Sequence, residues 1–577
     1  MGNSNSARYM SRSTNKPKPR RRRGGCLFLL VGLCLLGFSV WQGWKQGLPN
    51  PDYANTKLHV KQAITWNGEA SGYGAKGSGE ELLIPLKAVQ ERIMPAAIYE
   101  KTSKLVILTN ESHVAAVSTE GDTGWLDGNV KNWGIGAQLA GDQVYVPAKV
   151  LEELEVATVK EFADTGNIRI TFPGDTIQTG KIKQQDKVGT VAMRYHPEKK
   201  APIVRDLPAG TAITMWSLQE DWILIQDDGG RLGYVREEEV ELLEKESVPK
   251  VKPLSPPQFV EEEIPVSLAW EAVYSRNPNP DSLPNMPGIN VISPTWFSLK
   301  DNEGNVASKA DKRLMDWAKA EGKYVWALFS NSFDPERTTA ALASFERRER
   351  SIRQLLAYAE QYKLDGINID YENVNVEDRD NLTQFVRELT PLFRMKGLVV
   401  SIDVTAKSSS GRWSQFLDRE ALGAAVDYMM VMAYDEHWAA SPKSGSVSSL
   451  PWAKSVVARI IEEDNVPAHK MVLGMPLYTR IWSETSEAGE TKVKSQSVGM
   501  RSIKEWLEKY KLTPTFSEQE GQYYAEATDK GVRQRVWIED ETSINARIKM
   551  AKELKLGGVA VWARALGDDD IWKIVHY

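Results

Sequence analysis

At 577 residues the chain is too long for one hydrophobic core, and 42% hydrophobic with 26% charged residues describes folded domains and excludes a disordered protein. The formal net charge of −5 hides an asymmetry: residues 1–25 hold eight Lys or Arg and no acid, so the rest carries −13 once those eight are set against the total. An acidic body behind a short basic tail argues against nucleic acid as the body's partner.

The basic tail, residues 1–25, runs into an uncharged stretch from Cys26 to Trp44 that ends in Trp41 and Trp44, aromatic residues of the kind that sit at a membrane surface. The preceding arginines favour the cytoplasmic side. The expectation is therefore one N-terminal transmembrane helix at 26–44, an uncleaved anchor with the remaining chain outside the cell membrane. A cleaved signal peptide followed by secretion is the alternative. Both cysteines, Cys26 and Cys34, lie in this stretch, which leaves the body without disulfides, and Leu33 stands where a lipoprotein signal would want a small residue. The six histidines are scattered with no paired ligand motif, so no metal and no cofactor is expected.

Residues 45–75 are polar and Gly-rich and read as a spacer. Over 76–180, Leu82-Leu83-Ile84-Pro85 runs into a helical pattern, and Val144-Tyr145-Val146-Pro147 does so again about sixty residues later. This α+β region resembles the small module named after the amino-terminal domain of copper amine oxidases, although it has no copper ligands. Residues 183–245 read as short strands between turns, including Trp222-Ile223-Leu224-Ile225 and the turn Asp227-Asp228-Gly229-Gly230. This stretch resembles a bacterial Src-homology-3-like barrel, whose Trp222 and Tyr234 are expected to fill a small core. Pro249, Pro253, Pro256 and Pro257 then mark a stiff, extended linker over 246–263.

From 264 to 577, eight strand-like runs (266–274, 289–297, 323–329, 366–372, 398–404, 428–434, 470–477 and 558–563) alternate with helical ones. That order predicts an α/β fold, a (β/α)8 TIM barrel with a small α+β insertion at about 484–545. In Leu364-Asp365-Gly366-Ile367-Asn368-Ile369-Asp370-Tyr371-Glu372 polar and apolar residues alternate, so Asn368, Asp370 and Glu372 face one way, roughly 6–7 Å apart at about 3.3 Å per residue. Two carboxyls crowded on one wall repel, so one keeps its proton while the other ionises, the division of labour that glycosidic cleavage needs. A solvated strand end is the bland alternative. At the same rim fall Met432-Ala433-Tyr434-Asp435, Pro476-Leu477-Tyr478-Thr479-Arg480 and Trp562, a mixture of carboxylates and rings suited to a sugar.

These four motifs, in order over about half the chain, resemble glycoside hydrolase family 18, the chitinase-type hydrolases. The resemblance implies a substrate-assisted retaining mechanism on an N-acetylglucosamine-containing polysaccharide, peptidoglycan or chitin. Glu372 is then the acid, Asp370 the residue that orients the acetamido group, and Tyr434 its hydrogen-bond donor. Asn368, Met432, Asp435, Tyr478 and Trp562 would bind substrate, with Trp562 stacking under the sugar. Asn368 departs from the family's Asp and is expected to hydrogen-bond Asp370. The asparagine variant tilts the substrate towards peptidoglycan. A non-catalytic glycan-binding protein on the same fold and a true chitinase are the other readings, and Glu372 speaks against the first. Trp413, Trp438 and Trp482 are candidates for an extended cleft, whereas Asp365 is expected to tie down the strand start.

Overall fold

The computed structural model describes residues 33–34, 36–41, 47–54, 60–184, 189–251, 254–487 and 490–577. Most of the apolar stretch at 26–44 lies outside them. Among the described residues, no helix is long and apolar enough to cross a membrane.

Eight parallel strands close into a barrel: β1 (Val266–Glu271), β2 (Val291–Pro294), β3 (Tyr324–Ser330), β4 (Gly366–Asp370), β5 (Val399–Thr405), β6 (Tyr428–Met432), β7 (Met471–Pro476) and β8 (Gly558–Trp562). Each pairs with the next in sequence, β8 returns to β1, and all pairings are parallel. The strands are buried on both faces, as βαβ units require. Leu268, Trp270, Trp326, Leu328, Met430, Val472 and Ala560 share an inner cluster, while Ile367, Ile369, Val400 and Val431 join the layer under the helices. An antiparallel sheet and the helix Met500–Tyr510 are inserted between β7 and β8, beginning with the strand Tyr478–Glu487.

Two expectations are corrected. The linker is not extended throughout: Gln258–Glu261 forms a helical turn whose Phe259 is buried edge-on against Tyr324, Trp326 and Tyr428. An apolar ring that can plug the N-terminal end of a barrel gains more by burial than by hydration. The spacer is also partly structured, because Ala63–Trp66 pairs in parallel with Ile168–Ile170. Residues Ala70–Asp175 and Ser247–Tyr577 belong to one compact unit, and Thr176–Glu246 belong to another. Within the α+β region the two similar segments pair antiparallel, Val146 opposite Ile84. Each leads into a short helix, Leu86–Arg92 and Ala148–Glu153.

The Thr176–Glu246 unit holds seven strands around Ile182, Val191, Met193, Leu207, Ile213, Ile223, Ile225, Val235 and Val240. Trp222 is buried with the Arg236 guanidinium 4.7 Å from its ring centre, and Tyr234 is half-buried outside that cluster.

The α+β region is joined to the barrel through α1 (Phe345–Tyr362). Arg348, buried on α1, reaches Glu100 Oε2 at 2.8 Å and donates to both oxygens of Glu388 at 2.8 and 2.9 Å. Glu388 lies on α2 (Arg379–Arg394) and also accepts from Gln384. Glu100 accepts the backbone N–H of Phe345 at 2.6 Å, and the Phe345 ring lies 5.5 Å from Trp125. A buried guanidinium between two carboxylates is tolerated only while both remain, so the cluster makes the region part of the barrel unit's stability. Glu100→Ala is expected to lower the urea-unfolding free energy of this unit by about 3 kcal/mol. A loss below about 1 kcal/mol would mean that the contact is incidental.

Candidate active site

The alternation along β4 turns Asn368 and Asp370 into the barrel and sends Ile367, Ile369 and Tyr371 outward, where Tyr371 stacks on Phe385 with centroids 5.8 Å apart. Asp370 is the last strand residue, and Glu372 follows just beyond it. The Glu372 backbone is bracketed by one side chain. Asn331, fully buried after β3, accepts the Glu372 N–H at 3.1 Å and donates to its carbonyl at 2.7 Å. That amide fixes where the carboxyl leaves the chain.

Asp370, Glu372, Met432, Tyr434, Asp435, Tyr478 and Trp562 all line one cavity of about 420 Å³ at the C-terminal ends of the strands. Asn368 does not, which corrects its reading as a substrate-binding residue. It is fully buried beneath, accepting from Trp270 Nε1 at 2.8 Å and Ser293 Oγ at 3.3 Å. Its amide donates to Asp403 Oδ1 at 2.8 Å and Ser401 Oγ at 3.1 Å, which leaves no donor for the expected bond to Asp370. An ionised Asp there would only accept, and would add one more negative charge beside Asp403.

Asp403, inward-facing on β5, lines the cavity and was missed by sequence reasoning, as were Trp270 and Asn331. The signal for Asp403 was present in the alternation Ser401, Asp403, Thr405 on a strand correctly located. Trp270 packs 6.1 Å from Trp562, and Glu271 at the end of β1 is paired with Arg564 just after β8.

Burial without compensation dominates the electrostatics. Asp370 Oδ1 is buried and has no hydrogen-bond partner among the described residues, and desolvation pushes its pKa up to about 7. Desolvation, then the charges of Asp370 and Asp435, holds Glu372 well above the ordinary carboxyl range. Asp403 is raised in the same way, by burial and then by Asp370, against the stabilising bond from Asn368. Near neutral pH this cluster therefore keeps protons, a dry acid beside a carboxyl close to its titration point.

The loop after β6 completes the site. Asp435, held with φ of 58°, accepts from Tyr478 Oη at 2.7 Å and from Arg480 Nη2 at 3.0 Å. Tyr434 meets Tyr478 edge-on at 6.3 Å, and burial raises both phenols, so each stays a neutral donor.

The remaining candidates divide. Trp482 is fully buried and donates to Gly445 O at 2.8 Å, so it is core and not cleft. Trp413 and Trp438 are exposed. Asp365 accepts the Val325 N–H at 2.8 Å and ties β4 to β3 at its start. The His437 ring, two residues beyond Asp435, is held against Ser446 O at 2.9 Å.

The sequence pattern of Glycosyl hydrolases family 18 matches residues 277–567, and that of the bacterial SH3 domain matches residues 187–241. The chain is 27% identical over 300 residues to the uncharacterized glycosylase YvbX of Bacillus subtilis strain 168, covering 50% of this chain and 84% of that protein. It is 28% identical over 258 residues to the cortical fragment-lytic enzyme of the same organism, covering 43% of this chain and 57% of that protein. Among solved structures, the C-terminal domain of a putative chitinase from Desulfitobacterium hafniense DCB-2 is 27% identical with a TM-score of 0.48, covering 54% of this chain and 96% of that one. The family pattern spans half the chain and contains the carboxyl pair of β4, so this protein belongs to glycosyl hydrolase family 18 and is a glycoside hydrolase.

Proposed function

We propose that the protein cleaves N-acetylglucosaminyl linkages in cell-wall glycan, with peptidoglycan preferred over chitin. The observation that carries this reading is the pairing, in one cavity, of the protonated Glu372 with Asp370, whose charge is poised near pH 7. Glu372 gives its proton to the glycosidic oxygen as the bond to the anomeric carbon breaks. The carbonyl oxygen of the substrate's own 2-acetamido group forms the new bond to that carbon, giving a cyclic oxazolinium. Asp370, ionised as the cation develops, faces it across a dry site where one charge counts for more than in water. Tyr434 donates to the acetamido oxygen, and Asp435, held by Tyr478 and Arg480, shapes the pocket around it. Water then opens the oxazolinium, returning a proton to Glu372 with retention of configuration. Trp562, backed by Trp270, is a floor for the sugar's apolar face.

Relatives that include a cortical fragment-lytic enzyme support a wall substrate. The basic tail and apolar stretch at 26–44 support a single-pass anchor, with the cytoplasmic N-terminus leaving the hydrolase outside. In this reading the copper-amine-oxidase-N-like region and the SH3 domain hold the barrel in the wall.

The test is incubation of the full chain with purified peptidoglycan and with chitin oligomers, followed by mass identification of new reducing ends. Reducing N-acetylglucosamine ends are expected, more from peptidoglycan. Glu372→Gln is expected to abolish release, and full activity in that folded variant would reject the acid. Asp370→Asn should lower kcat by about 10²–10³, as when one transition-state charge partner is removed. The pH profile has a defined sign. kcat/KM should rise as Asp370 ionises through about pH 7 and fall where Glu372 loses its proton. Asp435→Asn removes a negative charge that helps Glu372 keep its proton, so the falling limb should move to lower pH. A stationary limb would separate Asp435 from the acid.

A further inference from the structure

Outside the catalytic cavity, four cations converge on a hollow of about 540 Å³ beyond the end of β5: Arg379, Lys407, Arg419 and Arg459. Three of them have carboxylate partners. Lys407 Nζ meets Asp464 Oδ1 at 2.8 Å and Glu463 Oε2 at 2.9 Å, Arg459 Nε meets Glu463 Oε1 at 2.8 Å, and Arg379 Nη2 meets Asp418 Oδ2 at 3.3 Å. Arg419 has none among the described residues. It is 4% exposed, and its guanidinium is held by neutral groups only: Thr405 O at 2.8 Å, Ser414 Oγ at 3.1 Å and Ser414 O at 3.3 Å. Its Nε–H is buried with no acceptor.

Four cations thus face three carboxylates, and the unmatched charge is the one furthest from water. Burial pulls the Arg419 pKa down to about 10, with Arg379 and Arg459 pushing the same way against Asp464. Among the described residues Asp464 is the single carboxylate lining the hollow, and its Oδ2 is buried and unpartnered, while Lys407 holds its other oxygen. A buried guanidinium without a counter-ion is costly unless an anion reaches it from outside. The hollow is equipped for such a visitor. Ser408, Ser409 and Gln415 line it, and Arg379 and Arg459 are half exposed at its edge.

Its position links it to the cleft. Ser414 and Gln415 come from the turn Gly411–Gln415, and the same turn carries Trp413. The exposed Trp413 ring lies 6.5 Å from Phe333, which lines the catalytic cavity. A glycan leaving the cavity across Phe333 and Trp413 would carry its substituents towards the arginines.

We propose that this hollow is an oxyanion subsite, with Arg419 as its buried uncompensated charge and Arg379 and Arg459 as its accessible donors, for carboxylate or phosphate groups borne by a wall polymer that occupies the cleft. Neutral chitin has no group to use it. The assignment to a wall polymer rests on the hydrolase reading above, whereas anion binding as such does not.

The test uses the full chain at low ionic strength. Inorganic phosphate and acetate are titrated by calorimetry against the wild type, Arg419→Gln and the double variant Arg379→Gln/Arg459→Gln. Saturable binding of at least one anion is expected, weakened about tenfold in the double variant, the scale of one charge-assisted hydrogen bond. Should Arg419→Gln fail to fold, the exposed double variant still decides. On peptidoglycan the double variant should raise KM with kcat unchanged and leave neutral N-acetylglucosamine oligomers unaffected. Amidating the polymer's carboxylates, or stripping its phosphate, identifies the anion by reproducing that KM. Absence of saturable binding, or equal binding by all variants, would overturn the subsite. An inactive protein that still bound phosphate through these arginines would overturn the hydrolase reading and keep the anion site.

Discussion

A carboxyl that loses water and gains no hydrogen bond in exchange keeps its proton, and the mouth of this barrel is organised around that constraint. Asp370 is the case in point, with a buried oxygen that has no hydrogen-bond partner among the described residues. Glu372 and Asp403 share the same dry space, so each charge that forms raises the cost of the next. Asn368 makes the crowding tolerable. As an amide it donates to Asp403 and Ser401 and accepts from Trp270 and Ser293, satisfying its neighbours without adding charge. The departure from the family's usual residue is thus a rearrangement of donors under the site, while the carboxyls above it are untouched.

Position matters as much as protonation. Asn331 holds the peptide of Glu372 from the neighbouring strand end, and Glu271 with Arg564 ties the start of the barrel to the segment after Trp562. These ties run between β3 and β4 and between β1 and β8, neighbours in the closed sheet, so the rim is braced by the barrel's own closure. The Arg348 cluster extends the brace outward, since Glu100 holds both the guanidinium and the first N–H of α1. The α+β region is accordingly joined to the helices that hold the site-bearing strands, through a group that cannot be left half-paired.

What the sequence revealed and what it hid follow from the range of the interactions involved. All eight barrel strands were legible, because buried parallel strands are continuous apolar runs and alternation on β4 sorted its faces locally. Asp370, Glu372, Tyr434 and Trp562 sit at strand ends, where the fold puts chemistry, and could be read from position. Asn368 was read on the correct face but at the wrong depth, since a period of two says which side a residue takes and not how far down the barrel it lies. Asp403 looked like any strand-interior acid until Asn368, 35 residues away, was brought against it. Phe259 and Arg348 were hidden for the same reason. A ring in a proline-rich stretch and an arginine on a charged helix take their meaning from surfaces far along the chain.

The insertion shows how such distant partners reach the chemistry. Glu539, at the end of the inserted sheet, accepts from Arg547 at 2.8 and 2.9 Å and from Gln522 at 2.7 Å. Gln522 in turn accepts from Ser446, and Arg547 donates to Ser448 O. Ser448 Oγ donates to Ala433 O at 2.7 Å, next to Tyr434. This chain is buried throughout, and every link is a hydrogen bond that would leave a polar group stranded if broken. Together with Arg480 on Asp435, it fixes both ends of the loop that follows β6. The insertion therefore acts on the site by holding Tyr434 and Asp435 to one geometry, so that the phenol and the carboxylate face the cavity already in place.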